Sequence, residues 1–201
     1  MIAALYALTD GPYFGLASVD PWDIERDARK YKGPHRVIAH PPCQRWGRYW
    51  GGGPMLHGTP RQKVLGDDDG CFSHALWSVR TFGGVLEHPE ASHAWKWHGL
   101  TKPPFNGGWI EADNYGGYTC CVAQGHYGHR AQKMTWLYSN KINRPELKWG
   151  RSPNLQRMDE GWHSKEERAR AIRTGVCQRL SKRQRETTPD EFRDLLIRMV
   201  S

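Results

Sequence analysis

The stretch Val37-Ile-Ala-His-Pro-Pro-Cys-Gln44 is the most informative part of this sequence. Its three apolar residues predict a buried strand, and the double proline must end that strand because proline supplies no ladder hydrogen bond. Cys43 is therefore expected in the loop at the carboxyl end, where a nucleophile would be placed, rather than inside the apolar run. A lone cysteine more often just follows a turn than acts as a nucleophile, so the surrounding sequence must distinguish the two possibilities.

The length and charge of the chain limit the function classes. Its 201 residues and 23.1 kDa suit one domain over residues 1–201. Lys and Arg number 29 against 21 Asp and Glu, which gives a formal net charge of +8 and a pI near 9.4. This balance favours a polyanionic partner, and nucleic acid is the natural candidate.

The composition is not that of a membrane or secreted protein. No apolar run reaches bilayer length, and Met1–Leu8 lacks a basic segment, so it predicts a first strand and not a signal peptide. We therefore expect a cytoplasmic protein. Cysteines in an odd number and without a framework spacing favour reduced thiols: Cys43, Cys71, Cys120, Cys121 and Cys177.

A β-α-β unit is predicted between residues 36 and 87. The first strand, Arg36–Ala39, delivers Cys43, and the second, Val85-Leu86, is broken by Glu87-His-Pro89. The right-handed crossover makes the two strands parallel, so Cys43 and Glu87 leave the sheet at the same edge, where open α/β sheets bind ligands. A capping run, an apolar face and a terminal glycine pair predict the helix: Asp67-Asp-Asp69, then Phe72, Ala75, Leu76, Val79 and Phe82, then Gly83-Gly84.

Further elements are predicted on both sides of this unit, and together they indicate an α/β fold. They are a strand over residues 2 to 8, a short helix from Asp20 to Tyr31, an irregular stretch over 91–117, a hairpin of Tyr118–Val122 and Met134–Tyr138, a basic irregular region over 139–186 with one helix at Ser164–Thr174, and a closing helix within 187–201 with the apolar stripe Phe192, Leu195, Leu196 and Met199.

Three motifs resemble those of DNA cytosine-5 methyltransferases. Ala39-His-Pro-Pro-Cys-Gln44 resembles their Pro-Cys-Gln motif, Glu87-His-Pro89 resembles Glu-Asn-Val, and Tyr127–Thr135 resembles a degenerate Tyr-Gly followed by Gln-x-Arg-x-Arg. Thr187-Thr-Pro189 is weakly similar to their final motif. The likeness covers residues 36–138 and is to trimmed, phage-type members. It implies a Rossmann-like methyltransferase core with a shortened N-terminal half, residues 36–138 as the base-handling core, and the host cell cytoplasm as the location.

The resemblance implies covalent catalysis on cytosine. Carbon 5 of the ring becomes nucleophilic only after addition at carbon 6, and a thiolate is the best side chain for that addition, so Cys43 is the expected nucleophile. Glu87 would hold N3 and the exocyclic amine, and it would stabilise the charge that develops on the ring. Lys133 or Arg130 would supply a cation near O2 and the phosphates, with simple solvation of a hairpin tip as the equally weighted alternative.

The glycine-rich loop from Trp46 to Pro54 is predicted to close over a base extruded from double-stranded DNA. Members of the family use the segment after Pro-Cys-Gln as such a lid. An ordinary flexible loop is the alternative. The lid would make four residues candidates for DNA contacts: Gln44, Arg45, Arg48 and Tyr49.

The N-terminal segment is short for the expected cofactor, S-adenosylmethionine. Family members hold this methyl donor with a Phe-x-Gly-x-Gly turn and an acidic residue, whereas only residues 1–42 precede Cys43 here. A different one-carbon donor, a homo-oligomer or a partner subunit therefore stays open. Residues 141–185 are too few for a target-recognition domain, so sequence specificity is expected to be short, weak or supplied by another chain. The candidate remnants of the donor site are Asp10, Gly11, Phe14 and Asp20.

Two other functions compete with this prediction. A basic DNA-binding phage protein without catalysis would carry the same charge and would tolerate loss of Cys43. A zinc-dependent base deaminase would need His-x-Glu paired with Pro-Cys-x-x-Cys, and this pairing does not occur, so no metal site is predicted. The side chains that such a zinc site would draw on are His40, Cys43, His88, Cys120, Cys121, His126 and His129.

Overall fold

The computed structural model describes residues 1–48, 50–51, 63–153, 156, 164–174 and 180–201. This part of the chain has seven strands and five α-helices, which confirms the predicted mixed α/β class. The strands are β1 (Ile2–Leu5), β2 (Val19–Trp22), β3 (Arg36–Ala39), β4 (Gly84–Pro89), β5 (Ile110–Glu111), β6 (Tyr118–Ala123) and β7 (Met134–Asn140). The helices are α1 (Cys71–Phe82), α2 (His93–Trp97), α3 (Lys165–Thr174), α4 (Lys182–Glu186) and α5 (Asp190–Val200).

The strands form one mixed sheet in the order β2-β1-β3-β4-β7-β6-β5. Strands β1 to β4 run parallel, whereas β7 is antiparallel to both β4 and β6, and β5 is antiparallel to β6. The chain passes from β1 to β2 on one side and then places β3 on the other side of β1. In open α/β sheets such a switch in strand order opens the crevice in which ligands bind, at the carboxyl ends of the strands.

The β3-α1-β4 unit is confirmed, and local chemistry explains both ends of its helix. The Asp68 carboxylate accepts a hydrogen bond from the backbone N–H of Phe72 at 2.9 Å, and Gly83 ends the helix with φ 82°. Gly84 follows with φ 136°, and a Cβ there would lie 1.9 Å from the carbonyl oxygen of Val37. Only glycine therefore lets β4 begin directly beside β3.

Alternate residues of the central strands point to opposite faces of the sheet, and helices pack against both faces. Val37 and Leu86 lie in the core cluster that includes residues of α1, on what we call the α1 face. Ile38 and Val85 lie in the cluster that includes residues of α5, on the α5 face. The apolar stripe predicted for the closing helix is confirmed as buried core: Phe192, Leu195, Leu196 and Met199.

The prediction of a helix from Asp20 to Tyr31 is wrong. Val19–Trp22 forms the edge strand β2, which pairs with β1, and only Ala28–Lys30 makes a turn of 3-10 helix. Pro21 suits this place because the edge of a sheet tolerates a residue without a backbone N–H. The acidic and basic residues of this segment therefore lie in the strand, in loops and in one 3-10 turn, not on one face of an α-helix.

Glu87-His-Pro89 does not break the second strand of the unit, because β4 continues to Pro89. Antiparallel β7 pairs with β4 along its whole length, with Glu87 beside Leu137 and Pro89 beside Thr135. Glu87 therefore lies within the sheet rather than in a loop. Helix α2 and strand β5 lie in the stretch 91–117 that was predicted to be irregular. No helix in the described ranges combines the length and the apolar character needed to cross a membrane.

Candidate active site

The candidate nucleophile lies just beyond β3, at the switch in strand order. The strand ends at Ala39, and the two prolines carry the backbone out of the sheet to Cys43, whose side chain is half-buried. The carbonyl of Cys43 accepts hydrogen bonds from the N–H groups of Trp46 at 3.0 Å and Gly47 at 2.8 Å. Cys43 thus begins a tight, hydrogen-bonded turn.

Glu87 reaches the same edge from β4. It follows Leu86 of the α1 face, so its side chain points to the α5 face, and the side chain is 13% exposed. Its Oε2 lies 3.0 Å from Nδ1 of His40, and its Oε1 accepts a hydrogen bond from Nε2 of Gln124 at 3.2 Å. Burial acts to raise the pKa of Glu87, but the hydrogen bond from His40 and the charge of Lys133 outweigh it and hold the pKa below its usual range.

Two further side chains extend this hydrogen-bonded network. An ionised carboxylate only accepts hydrogen bonds, so Nδ1 of His40 carries a proton toward Glu87. The other ring nitrogen of His40, Nε2, lies 2.8 Å from the hydroxyl of Tyr13, which is 2% exposed. Burial raises the pKa of Tyr13, so its neutral hydroxyl can donate to His40. On the opposite side, Nε2 of Gln124 also donates to the hydroxyl of Thr135 at 2.9 Å.

Cys43, Glu87 and Lys133 act on one another electrostatically. Burial raises the pKa of the Cys43 thiol, the charge of Glu87 raises it further, and the charge of Lys133 opposes the shift. Burial lowers the pKa of Lys133, against the effect of Glu87 and Cys43. The Nζ of Lys133 donates to the carbonyl of Thr187 at 2.9 Å, and Lys133 has φ 38°, an uncommon backbone conformation for a residue with a side chain. The predicted nucleophile, acid and cation are therefore close enough for their charges to shift one another's pKa.

The other predicted cation lies differently. The side chain of Arg130 is exposed, and Arg130 is not among the groups whose charge shifts the pKa of Lys133. Of the two cations proposed from the sequence, Lys133 is thus the one that the fold brings to Cys43 and Glu87.

The candidate DNA contacts follow the nucleophile around the turn. Gln44 and Arg48 are exposed, and Arg45 is half-buried. The guanidinium of Arg48 lies 3.3 Å from Oε2 of Glu90, with the Arg48 side chain 65% exposed. Tyr49 lies outside the described residues, as do residues 52–54 of the predicted lid.

Trp46 was predicted as the first residue of the lid, and this is wrong. Its side chain is 2% exposed, and the indole Nε1 donates a hydrogen bond to Oδ2 of Asp68 at 2.7 Å. Its carbonyl accepts from the N–H of His93 at 2.8 Å. Trp46 is a fixed anchor because burial of the ring and three hydrogen bonds, counting that to Cys43, hold it against α1 and α2.

The residues predicted to hold S-adenosylmethionine lie on two elements. Asp10 is exposed in the loop after β1, and a Cβ on Gly11 would lie 2.6 Å from the carbonyl oxygen of Leu8, so this glycine is required by its own turn. Phe14 is half-buried against the α5-face cluster. No helix begins in residues 6–18, all of which are described, so the chain does not pass from β1 directly into a helix N-terminus.

Asp20 is already engaged by its neighbours. It lies within β2 rather than at its carboxyl end, its Oδ1 pairs with Arg26 at 2.5 Å, and its Oδ2 accepts from Nε1 of Trp22 at 2.8 Å. Because no helix follows β1 directly and the Asp20 carboxylate is already engaged, these residues do not fit the binding of S-adenosylmethionine.

His88 occupies the place of the asparagine in the motif that Glu87-His-Pro89 resembles. It points to the α1 face, where it is fully buried between Phe72 and Trp95, and its Nδ1 lies 2.8 Å from the hydroxyl of Ser92. Burial lowers the pKa of His88 to about 4, so the ring is neutral at physiological pH. It fixes the strand beneath the site from the opposite face.

Sequence reasoning did not find Tyr13 or Gln124, and it considered His40 only as a zinc ligand. One signal was available for His40, since a polar residue directly after a buried strand and before two prolines is placed at the carboxyl edge. Among the described residues, no group of three or more His, Cys, Asp or Glu side chains is arranged to hold a metal ion. Comparison of the chain with protein-family models, curated proteins and solved structures gave no match.

Proposed function

We propose that this protein modifies an extruded cytosine in double-stranded DNA through a covalent bond between Cys43 and carbon 6 of the ring, as the DNA cytosine-5 methyltransferases that it resembles do. The observation that carries the proposal is the convergence of Cys43, Glu87 and Lys133 at the carboxyl edge of β3 and β4. These three come from separate segments, and each matches a different motif of the resemblance.

The chemistry of the three groups is complementary. A thiol that adds to carbon 6 must lose its proton, and N3 of the ring gains one as the adduct forms. Glu87 would serve N3 of the bound cytosine, and the charge of Lys133, which acts on both Cys43 and Glu87, would oppose the negative charge that develops on the ring. A buried site of this kind strengthens both effects, because it excludes water.

The strand order supports the finer fold assignment within this proposal. A parallel sheet whose order reverses beside β1 is the arrangement of Rossmann-like folds, and here β2 is the only strand beyond β1 in the described part of the chain. We therefore propose that the N-terminal half is a Rossmann-like half reduced to two strands. Because the residues of the N-terminal half do not fit S-adenosylmethionine, we confine the proposal to the activation of cytosine. The experiment below tests which methyl or other one-carbon donor is used.

Trapping the adduct tests the proposal. DNA duplexes with 5-fluorocytosine are incubated with the protein, with and without S-adenosylmethionine, and denatured complexes are weighed by mass spectrometry, with Cys43→Ser as the matched control. Release of tritium from carbon 5 of cytosine in DNA reports reversible addition without any donor, because carbon 5 of the adduct exchanges its hydrogen with water. We expect tritium release that is lost in Cys43→Ser.

The outcomes separate the alternatives. A covalent complex that forms only with S-adenosylmethionine assigns that donor, and tritium release without such a complex indicates another donor or a partner subunit. DNA binding that is equal in wild type and Cys43→Ser, with neither tritium release nor a complex, would overturn the enzyme and favour a basic DNA-binding protein.

A further inference from the structure

The positions of the protons before and after the reaction indicate a role for His40. This role rests on the proposed function and deepens it. Before the reaction the Cys43 thiol holds a proton and Glu87 is ionised. After addition to carbon 6, sulfur is bonded to carbon and N3 holds a proton. One proton thus moves from sulfur to N3, and Glu87 is the carboxylate beside both positions.

Glu87 is prepared to accept that proton. Oε2 faces Nδ1 of His40, and Oε1 faces the amide of Gln124, so each oxygen is oriented by one donor and keeps a lone pair. Buried carboxylates without such donors are protonated near neutral pH, and a protonated Glu87 could not accept from Cys43. The titratable groups that act on Glu87 besides His40 are Lys133 before β7 and His88, which lies on the opposite face of β4. Around its neighbours, Arg193 and Asp194 of α5 act on Tyr13, and Glu186 of α4 acts on Cys43.

His40 is held in one orientation from its other side. The Tyr13 hydroxyl occupies Nε2, which leaves Nδ1 as the nitrogen that donates to Glu87. We propose that His40, held by Tyr13, is a positioning residue that keeps Glu87 as the acceptor of the Cys43 proton, which Glu87 then passes to N3 of cytosine. On reversal, the carbon–sulfur bond breaks, N3 returns the proton to Glu87, and Glu87 returns it to the Cys43 sulfur.

The test follows the pH dependence of the carbon 5 tritium release in wild type, His40→Ala, His40→Asn and Tyr13→Phe. In His40→Ala the rate on the acidic side should fall by about tenfold or more and recover as pH rises, because the unsupported carboxyl must first ionise. His40→Asn keeps a neutral N–H donor near the position of Nδ1 and should recover most of the acidic-side rate. Tyr13→Phe should show a smaller change in the same direction.

Two results would overturn this proton transfer through Glu87 and leave His40 a packing residue. One is a rate in His40→Ala that falls by the same factor at every pH, and the other is a rate in His40→Asn no higher than in His40→Ala. Thermal melts of each variant distinguish such loss from unfolding. A carbon-13 NMR titration of Glu87 needs no DNA, and its midpoint should rise in His40→Ala; an unchanged midpoint overturns this role of His40. Absence of Cys43-dependent exchange in wild type instead overturns the proposed function, so the two failures are distinguishable.

Discussion

The indole of Trp46 and the carboxylate of Asp68 join the turn of the nucleophile to the start of helix α1. Nε1 of Trp46 donates to Oδ2 of Asp68 at 2.7 Å, and the same oxygen accepts from the N–H of Phe72 at 2.9 Å. One side chain therefore caps the helix and anchors the turn that begins at Cys43. Stability of the helix and placement of the nucleophile are coupled through it.

Asp68→Ala should reduce both stability and reaction rate. The variant removes a helix cap and leaves the buried Trp46 N–H without a partner, so we expect a loss of about 1–3 kcal/mol in the free energy of unfolding. Urea denaturation measures this loss, and tritium release measures the effect on Cys43. Asp67→Ala, which removes an exposed carboxylate one residue away, is the control. Equal stabilities of the two variants would contradict the role given to Asp68.

Glu87→Gln should make Cys43 more reactive toward an alkylating reagent while making the protein less active on DNA. The charge of Glu87 raises the pKa of Cys43, so its removal lowers that pKa and increases the thiolate fraction at a given pH. The same change removes the proton acceptor, and tritium release should fall by about a hundredfold or more. Peptide mass spectrometry of the alkylated protein measures the rate at Cys43 separately from other thiols.

Lys133→Met should change Cys43 in the opposite direction. The charge of Lys133 lowers the pKa of Cys43, so its removal should slow alkylation at a given pH. Cys71 is an internal control in both experiments, because its pKa is raised by burial and by Asp68, and neither Glu87 nor Lys133 is among the causes. A change at Cys43 with the same sign in both variants would contradict the effect described for one of the two charges.

The convergence of Cys43 and Glu87 was predictable because it depends on local rules. Two prolines end β3, glycines end α1, and the handedness of the crossover makes β3 and β4 parallel. The length of β4 was not predictable in this way. It depends on pairing with β7, which lies far along the chain, and this pairing overrides the tendency of Pro89 to end a strand.

The His40–Glu87 contact could not be predicted from the sequence for a related reason. It requires both residues on the α5 face, and a shift of one residue at the end of either strand would place them on opposite faces. Tyr13 reaches His40 from a loop without periodicity, so no pattern placed it there. The helix predicted over Asp20–Tyr31 failed because its charged residues suggested a capped helix, whereas pairing of Val19–Trp22 with β1 decided the conformation.

Arg130→Ala should weaken DNA binding without slowing the chemical step. Because the Arg130 side chain is exposed, we expect it to contact a DNA phosphate in the proposed complex. The slope of log affinity against log salt should then fall by about 1, and the affinity should fall alike for all sequences. Tritium release at saturating DNA should stay at the wild-type rate. The matched variant Lys133→Met should show the reverse, with a slower reaction at saturation. A slower reaction at saturation in Arg130→Ala would place it beside the base.

Burial of His88 should make the stability of the protein depend on pH between about 4 and 6.5. The pKa of His88 is about 4 in the folded chain, against the ordinary histidine value of 6.5 that applies once the chain unfolds, so in this window the unfolded chain binds a proton that the folded chain does not. The free energy of unfolding should therefore rise with pH across the window, by on the order of 3 kcal/mol from this residue. His88→Gln should flatten that rise in urea titrations, whereas His93→Gln, at an exposed histidine, should keep it. If both variants retain the wild-type slope, His88 accepts a proton within the folded protein, and it is not the neutral support beneath Glu87 that its contacts with Phe72, Trp95 and Ser92 indicate.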